Sequence, residues 1–426
     1  MIDVKKVRDD IVAYKLICKN KLRSEIDVDH ILSLDDQRKE SQQKIDELKF
    51  QQRQLAEKKD YEWAKTLKTD IQHLEDAYSK IEEELTPLLL AMPNFYHVDT
   101  PIGESEKNNV VIKQWGKIPT FDFPILDHED LGKKRDIIDK ETASKVTWTR
   151  FCYLKWDLVL LQMAIIQFTF KTLWDEKLIK KIIKEKKLKL ASTPFRPVLT
   201  PQIISMETMN KMWRLHPMDE RYCLQEDKQV MNWSAEHAMW PMFMDHMFQE
   251  NELPVRYIGY ATSFRREAGS YGKDVKWIIR VHQFDKLEME TFCIPETSLD
   301  EQELIVGLQE YMIQQLDLPY QLVLKCTADM WDNDYRAIDV ETYMPGQWTY
   351  RETHTSDLMT DFQSRRLNTR VKRENGDKEF VHMNDATAFA MGRIMVAIIE
   401  NNQQKDGTIK VPEVLIPYMG KKFIGK

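Results

Sequence analysis

The strongest pattern along the chain is a repeat of apolar residues at alternating spacings of three and four positions. A polar connection, AEKKDYE, divides this repeat into two halves. The repeat predicts two helices that pack as an antiparallel coiled coil, each of about 30 residues and therefore about 45 Å long. Its apolar positions are Ile31, Leu34, Ile45, Leu48 and Leu55, then Leu67, Ile71, Leu74, Tyr78, Ile81, Leu85 and Leu88.

Prolines predict where this hairpin ends. Pro87 and the segment PNF at residues 93–95 are expected to stop the second helix, because proline lacks the amide hydrogen that a helix requires. We therefore predict an N-terminal coiled-coil domain over residues 1–100 and a second domain over residues 101–426. Periodicity alone favours a dimerisation or spacer element over a nucleic-acid-binding element.

The pattern changes after residue 148. The apolar helical stretch TRFCYLKWDLVLLQMAIIQFTFKTL is followed by short strand-like segments such as RYIGYATSF, QLVLKC, AIDVETYM and FVHM, with polar turns between them. Neighbouring strands with few intervening helices predict an antiparallel sheet with helices packed beside it. The predicted fold class is α+β: a long antiparallel coiled-coil hairpin, then an antiparallel sheet flanked by helices.

Composition excludes several classes of protein. The 426 residues are 42% hydrophobic, enough for two or three domains, and the net charge of −7 argues against general affinity for nucleic acid. The five cysteines are scattered without a CxxC pair, which predicts reduced thiols and no structural zinc. No apolar run approaches the roughly 18 residues of a membrane span. We expect a soluble, cytoplasmic protein.

One hairpin concentrates charge. The segment SFRREAGSYGKDVKWIIRVHQFDKLEME at residues 263–290 reads as strand, turn and strand, with Arg265 and Glu267 on one strand face and Arg280 and His282 on the return strand. Guanidinium groups beside a carboxylate suit the phosphates of ATP and a Mg²⁺ ion. A cross-strand ladder of salt bridges is an equally good interpretation.

Two further segments carry arginines and carboxylates. One is TYRETHTSDLMTDFQSRRLN at residues 349–368, and the other is NDATAFAMGRIMVAIIENNQ, in which Arg393 interrupts an apolar helical pattern. An arginine on a buried helix face must find an anion, because burial of an unpaired charge is prohibitive. A carboxylate of the protein is the more common partner and a ligand phosphate the rarer one.

Taken together, these segments resemble the class II aminoacyl-tRNA synthetases. FRREAG followed by RVHQFDKLE is similar to motif 2 of that class, and specifically to the seryl-tRNA synthetase family. Four further segments, RFCYLK, SAEHA, YRETHTSDLMTDFQSRRLN and VPEVLIPYMG, resemble the family and occur in its order along the chain, and the coiled coil lies where the family has one. The resemblance therefore covers almost the whole chain.

The resemblance implies a fold, a reaction and partners. It implies a homodimer with a six- or seven-stranded antiparallel sheet, and motif 1 in PFRPVLTPQII with Pro201 as its final proline. L-serine would be activated with ATP and Mg²⁺ to seryl-adenylate and transferred to tRNA(Ser), and also to tRNA(Sec), with the hairpin contacting the tRNA. The basic segment at residues 177–190 is longer than in the family and suggests a solvated helix extension more than a tRNA contact.

The resemblance also implies roles for single residues. The catalytic group would be Arg265, Glu352 and Arg393, with Glu352 holding Mg²⁺ through ATP. Arg265 would contact the α-phosphate, Arg393 the terminal phosphate, and Phe284 the adenine. The implied ATP-binding residues are Arg265, Arg266, Glu267, Val281, Phe284, Glu352, Thr353, His354, Thr355 and Arg393, and the implied serine-binding residues are Ser234, Ala235, Glu236, Arg265, Glu288, Asp385 and Thr387.

Two other classes of protein are alternative interpretations of this sequence. A synthetase-like paralogue that binds or regulates, or that acylates a carrier protein, predicts the loss of Arg265, Glu288 or Arg393, and all three are present. A purely structural coiled-coil protein leaves the charged segments of the second domain unexplained.

The chain departs from the family at several positions. Ser234 replaces a threonine, and Asp385 and Ala386 replace asparagine and glycine. Glycine occurs 13 times and tryptophan 11 times in 426 residues, against an average glycine usage of about 7%. We hypothesise that the gene uses UGA for glycine and that the chain was read with a code in which UGA means tryptophan. The tryptophans that stand where the family has glycine are Trp148, Trp156, Trp213, Trp233, Trp277, Trp331 and Trp348.

Overall fold

The computed structural model describes residues 1–57, 61–267 and 278–425. The chain divides into two compact units, Met1–Phe95 and Tyr96–Lys426. The α-helices of the described residues are α1 Val4–Asp9, α2 Ile11–Asn20, α3 Val28–Glu57, α4 Tyr61–Ala91, α5 His128–Lys134, α6 Lys140–Val146, α7 Asp157–Leu173, α8 Glu176–Glu185, α9 Met206–Lys211, α10 Glu236–Met239, α11 Ser298–Gln315, α12 Phe362–Leu367, α13 Met391–Asn401 and α14 Ile416–Met419.

The strands belong to one large sheet and four small ones. They are β1 Val110–Trp115, β2 Ile138–Asp139, β3 Tyr153–Leu154, β4 Arg196–Leu199, β5 Ile203–Ser205, β6 Cys223–Leu224, β7 Gln229–Met231, β8 Met247–Gln249, β9 Val255–Phe264, β10 Gln283–Cys293, β11 Tyr320–Leu324, β12 Arg336–Met344, β13 Thr349–Thr360, β14 Arg370–Lys372, β15 Lys378–Phe380, β16 His382–Ala390, β17 Ile409–Lys410 and β18 Phe423–Ile424.

The first unit is the predicted helical hairpin. Helices α3 and α4 pair along their length, and cross-helix ion pairs join Arg38 to Glu82 at 3.2 Å and Lys49 to Glu75 at 2.7 Å. The residue number rises along α3 from Arg38 to Lys49 while that of the partner falls along α4 from Glu82 to Glu75, which shows that the two helices run antiparallel. Apolar positions of the repeat are buried between the helices. The hairpin prediction is therefore confirmed.

The end of α4 corrects one prediction. Pro87 does not stop the helix but lies inside it, and α4 continues to Ala91. Leu85 and Leu89, on either side of the proline, are both buried in the core of the unit. Burial of this apolar face offsets the one backbone hydrogen bond that proline removes. The helix ends before Pro93, whose carbonyl accepts a 2.6 Å hydrogen bond from the buried Tyr14 hydroxyl.

The second unit is built on an eight-stranded sheet in the order β1-β11-β12-β13-β16-β10-β9-β4. Every neighbouring pair is antiparallel except β4 with β9, which is parallel. The antiparallel sheet is as predicted, but the resemblance implied six or seven strands. The described residues give eight, with β1 hydrogen-bonded to β11 at one edge and β4 at the other.

Alternation along the central strands separates a core face from a polar face. Leu287 of β10 and Ala388 of β16 join the main apolar core, which also contains side chains from α7, α8, α11 and α13. Glu288 of β10 and Thr387 of β16 alternate with them, are paired in register, and face the other side of the sheet. The polar groups of the central strands therefore converge on the face opposite to the core.

The basic segment at residues 177–190 contains α8, which packs into the core. Leu178, Ile179, Ile182 and Ile183 are buried on one side of this helix, while its lysines lie exposed on the other. This arrangement is an amphipathic helix that covers the core and exposes its charges to solvent. Within the described part of the chain, no helix has the length and apolar character needed to cross a membrane.

Candidate active site

The charged hairpin is shorter than the sequence predicts. Strands β9 and β10 pair from Val255 with Phe292 up to Phe264 with Gln283. Arg265, Glu267, Arg280 and His282 therefore all lie beyond the last strand pair, which corrects their placement on the two strands. Glu267 leaves the β-region with φ of 52°, so the strand cannot continue through it. Residues 268–277, with Trp277, lie outside the described residues.

Arg265 is held at the end of this hairpin by backbone contacts. Its amide donates a 2.9 Å hydrogen bond to the His282 carbonyl, and its guanidinium Nε donates to the Trp233 carbonyl at 3.3 Å. The guanidinium carbon lies 5.1 Å from the centre of the Phe284 ring. Burial lowers the pKa of Arg265, although Glu236 and Glu267 oppose this shift. The guanidinium thus packs on aromatic rings with acidic groups nearby.

The salt-bridge interpretation of the hairpin is correct for one pair. Arg280 Nε lies 3.4 Å from a carboxylate oxygen of Glu267. Arg266 takes no part in that pair; it is exposed and lies 5.6 Å from the centre of the Tyr222 ring. The two alternatives for the hairpin are therefore not exclusive, because Glu267 pairs with Arg280 while Arg265 turns toward the polar face of the sheet.

Arg393 and Glu352 form the second part of the site. Arg393, in the first turn of α13, donates from Nη1 to the Glu352 carboxylate at 2.7 Å and to its carbonyl at 3.0 Å. Desolvation opposes ionisation of Glu352, but Arg393 and Lys325 outweigh it and lower its pKa to about 2. The predicted arginine thus has a carboxylate partner in the free protein, and both groups are fully charged at neutral pH.

The other predicted ATP-binding residues of β13 have different surroundings. Thr353 and His354 are buried, with the Thr353 hydroxyl 2.8 Å from that of Thr342 and the His354 ring packed 5.0 Å from Phe389. Burial lowers the pKa of His354 to about 3, so its ring is neutral. Thr355 donates to Asp357 at 3.3 Å. Val281, from the motif 2 segment, is also buried in the core. Burial of Thr353, His354 and Val281 leaves mainly their backbone atoms for a ligand, whereas Thr355 is half-buried.

Four polar side chains, those of Ser234, Glu236, Glu288 and Thr387, form a cage. Oε1 of Glu288 accepts hydrogen bonds from the Ser234 hydroxyl at 3.4 Å and the Thr387 hydroxyl at 3.3 Å, and Lys286 contacts the same carboxylate. Lys286 also donates to the Ser234 hydroxyl at 3.1 Å. The residues implied for serine binding therefore lie together. Ala235 is fully buried beneath them, at the start of α10.

The cage leaves two acidic oxygens without a donor. Oε2 of Glu288 and Oε2 of Glu236 are buried and accept no hydrogen bond from a described residue. Burial opposes ionisation of Glu236, but Lys286 and His237 outweigh it and lower its pKa to about 2. Buried acceptors without donors are rare in native proteins, because each costs free energy. These two oxygens lie near the hydroxyl groups of Ser234 and Thr387 and the ammonium group of Lys286. The arrangement suits a small ligand that carries an ammonium group and a hydroxyl group.

Lys286 was missed by the sequence analysis. It stands two residues before Glu288 in β10, and this spacing of two residues is the signal that could have identified it. The contact of this lysine with Ser234 depends on how the segment that begins α10 packs against the sheet, and no sequence pattern reports that contact.

Three buried carboxyl groups lie side by side below the cage. Asp385 of β16 is paired in register with Glu290 of β10 on one side and Asp357 of β13 on the other. Burial first, and neighbouring carboxylates second, raise the pKa of all three well above its usual range. The Trp240 indole donates a 3.0 Å hydrogen bond to Glu290. This row therefore retains protons that an exposed carboxyl group would lose.

Replacing Asp385 with Asn is expected to stabilise the protein more at pH 8 than at pH 5. A carboxyl group with a raised folded pKa contributes stability that is fully present below its unfolded pKa of about 3.9 and is lost as the pH rises through the folded pKa. The amide stays neutral throughout, although Asp357, Glu290, Glu236, Lys286 and Arg214 all face this position. Urea unfolding at the two pH values measures the difference.

Asp122→Asn provides the matched control for this change. Asp122 has a side chain that is 83% exposed, and it lies outside the row. Equal stabilisation by Asp385→Asn at both pH values would contradict the assignment of a retained proton.

Several tryptophans have backbone conformations that suit glycine. Trp156, Trp213 and Trp348 have φ of 53°, 59° and 54°. This left-handed region is readily adopted by glycine and costs a residue with a bulky side chain roughly 1–2 kcal/mol. Trp148, Trp156, Trp331 and Trp348 also expose more than half of their side-chain surface. Both features are expected if glycine belongs at these positions.

The site offers little for a resident metal ion. Among the residues that the structure describes, no three His, Cys, Asp or Glu side chains are grouped as metal ligands. Mg²⁺ needs fewer, since it is commonly bound by one or two carboxylates together with substrate phosphates and water. Glu352, ionised and beside Arg393, fits that limited role.

Comparisons with known proteins identify the family. The model of the seryl-tRNA synthetase N-terminal domain matches residues 1–96, and that of the tRNA synthetase class II core domain (G, H, P, S and T) matches residues 220–402. The serine–tRNA ligases of Dictyoglomus thermophilum and Dictyoglomus turgidum are 36% and 35% identical to this chain, each over 434 residues, with 99% of this chain and 98% of the relative covered. The chain belongs to the seryl-tRNA synthetase family.

Solved structures agree with that assignment. Seryl-tRNA synthetase from Pyrococcus horikoshii, complexed with ATP, has a TM-score of 0.87 and 28% identity, with 100% of this chain and 99% of that chain covered. Cytoplasmic serine–tRNA ligase from Naegleria fowleri, in complex with AMP, has a TM-score of 0.81 and 26% identity, with 96% and 94% covered. The predicted family and fold class are confirmed, and with them the class of enzyme, an aminoacyl-tRNA ligase.

Proposed function

We propose that the chain activates L-serine with ATP and transfers the seryl group to tRNA(Ser). A carboxylate oxygen of serine attacks the α-phosphorus of ATP, the bond to the β-phosphate breaks, and pyrophosphate leaves. A hydroxyl group at the 3′ end of the tRNA then attacks the seryl carbonyl, and AMP leaves. The observation that carries this proposal is the cage of Ser234, Glu236, Glu288 and Thr387, with its two acidic oxygens that lack donors.

Recognition of serine would depend on both acidic residues. The ammonium group of serine would donate to the free oxygens of Glu236 and Glu288, and its hydroxyl group would join the hydrogen bonds of Thr387 and Ser234. Alanine lacks the hydroxyl, so its binding would leave buried polar groups unpaired, which is a strong basis for rejection. Asp385, below the cage, would contribute a neutral carboxyl group where the family has asparagine.

ATP would bind across the other half of the site. Arg265 would contact the α-phosphate, where negative charge builds up, and adenine would stack on Phe284, whose ring now carries the Arg265 guanidinium at 5.1 Å. Arg393 would exchange its Glu352 partner for the terminal phosphate. Mg²⁺ bound with ATP would neutralise phosphate charge beside Glu352. ATP and AMP in the solved relatives support the use of this nucleotide.

We propose a homodimer formed through the motif 1 segment. Strand β4 lies at the edge of the large sheet, and Leu199 at its end is 75% exposed. Helix α7 exposes Val159, Leu160 and Met163, which share one side of the helix at spacings of three and four. Exposed apolar side chains at an unpaired sheet edge are typical of an interface between protein subunits. A cytoplasmic location is also proposed, and the five free cysteines fit a reducing compartment.

The first unit is proposed to bind the tRNA, and shortening it tests this role. Replacing residues 50–74 with a short glycine linker removes the distal part of α3 and α4 beyond the ion pair of Lys49 with Glu75. We expect serine-dependent exchange of pyrophosphate into ATP to stay unchanged, while the KM for tRNA(Ser) in aminoacylation rises about tenfold or more because phosphate contacts are lost. An unchanged KM would remove the hairpin from tRNA binding.

Transfer itself is tested by charging purified tRNAs with labelled serine. We expect serine on tRNA(Ser) and on tRNA(Sec), and no labelling of a tRNA for another amino acid. Serine activation without transfer to either tRNA would contradict the proposed function and would favour the paralogue that acylates a carrier protein. Charging of tRNA(Ser) but not of tRNA(Sec) would contradict only the proposal that tRNA(Sec) is a substrate.

A further inference from the structure

Arg221 is a buried arginine without an acidic partner. It lies just before β6 and is 3% exposed. Its guanidinium donates from Nε to the Arg214 carbonyl at 2.9 Å and from Nη2 to the His216 carbonyl at 3.5 Å. Nη1 is buried and has no hydrogen-bond partner among the described residues, and no described carboxylate pairs with the group. A buried charge in this state calls for an anion.

Other positive charges near Arg221 strengthen its need for an anionic partner. Burial, with the nearby charges of Arg214 and Arg265, lowers its pKa to about 10. The group is still protonated at neutral pH, so the region carries several positive charges. Glu220 and Cys223 act in the opposite direction and raise this pKa, but their effects are smaller than those of burial and the two arginines.

The Trp233 indole occupies the space beside this arginine. The guanidinium carbons of Arg221 and Arg265 lie 3.9 Å and 4.7 Å from the centre of the indole ring. The His237 ring stacks on the same indole at 5.6 Å with an interplanar angle of 11°. The indole Nε1 is buried and has no described partner. The indole therefore lies between two cations and leaves its own N–H donor without an acceptor. An anion in this space would compensate the two positive charges more fully than the indole ring does.

We propose that Arg221 is a further substrate-binding residue, which together with Arg265 binds an oxyanion of an adenylation substrate in the space that the Trp233 side chain now fills. The oxyanion is the carboxylate of serine or a phosphate of ATP, and a guanidinium group suits either because it donates two parallel hydrogen bonds. The inference rests on the proposed function, since the same two substrates are involved. It also gives Trp233 a blocking role that a glycine at this position would not have.

The test uses the full-length chain with Trp233→Gly, in which the proposed space is open. In that background Arg221→Met removes the charge and Arg221→Lys keeps it. We measure the KM values for serine and ATP by pyrophosphate exchange, and the rise in Tm that each substrate produces. We expect Arg221→Met to weaken one substrate about 10- to 100-fold and Arg221→Lys to weaken it less. A change for serine identifies the carboxylate, and a change for ATP identifies a phosphate.

Arg370→Met is the matched control. Arg370 also packs on an aromatic ring, 4.6 Å from the centre of Phe380, and it lies outside the candidate site. If Arg221→Met leaves both KM values and both Tm shifts unchanged, or alters them no more than Arg370→Met, the proposal is wrong. The Tm shifts need no catalysis. They therefore test Arg221 even in a protein that shows no exchange, an outcome that would count against the proposed function instead.

Discussion

Replacing Arg393 with methionine is expected to lower kcat/KM for serine-dependent pyrophosphate exchange by about 100- to 1,000-fold. Methionine keeps much of the length and apolar volume of the side chain, so the helix position stays filled. The charge is lost, however, and with it the group that would hold the terminal phosphate of ATP. The loss should appear mainly as a higher KM for ATP and a lower kcat, with little change in the KM for serine.

The partner residue separates two explanations of such a loss. In the free protein Arg393 holds Glu352 at 2.7 Å, so its removal also frees a carboxylate that would repel the phosphates. The double variant Arg393→Met with Glu352→Gln removes both charges. If repulsion alone caused the defect, the double variant would be as active as Glu352→Gln alone, which lacks the same carboxylate. We expect it to be at least about tenfold less active than Glu352→Gln, because the phosphate contact is missing.

Returning glycine to the seven positions that carry tryptophan is expected to raise exchange activity by about tenfold or more. Trp233 packs against Arg265, so its indole lies where substrate would approach, and small displacements of reacting groups cost as much as 100-fold in rate. Trp156, Trp213 and Trp348 would each lose the strain of a positive φ. Exchange measured on the two chains in parallel tests the expectation, and Trp115→Gly, at a tryptophan outside the seven positions, is the control.

The coding DNA tests the origin of these tryptophans independently of activity. We expect UGA codons at Trp148, Trp156, Trp213, Trp233, Trp331 and Trp348, and also at Trp277, which lies outside the described residues. UGG codons there would contradict the codon hypothesis. An activity gain in the glycine chain could still be observed in that case, because it follows from the position of the Trp233 ring and not from the genetic code.

The sequence predicted helices better than it predicted where elements end. The apolar repeat identified α3 and α4 because it reflects the period of the helix itself. Pro87 misled the prediction of the helix end, since burial of Leu85 and Leu89 outweighs one lost hydrogen bond. The predicted strands of the charged hairpin were too long, because an alternation of charged residues is also typical of a strand. In the structure the backbone of Glu267 has already left the β-region.

The residues of the candidate site also divide into those that the sequence identifies and those that only the structure identifies. Motif positions such as Glu288, Thr387 and Ser234 could be taken from the sequence because they lie within short segments of fixed spacing. Arg221 could not, since its place beside Trp233 and Arg265 arises only when separate segments of the chain fold together. The buried surroundings of Thr353 and His354 are likewise a property of packing, which a motif match does not report.

Serine-dependent exchange of labelled pyrophosphate into ATP measures directly whether this chain activates serine. It should be run on the chain as written and on the version with glycine at the seven positions, with alanine and threonine in place of serine as controls. We expect exchange that requires serine, is much weaker with either control amino acid, and is faster in the glycine version. Absence of serine-dependent exchange in both versions would contradict the proposed function.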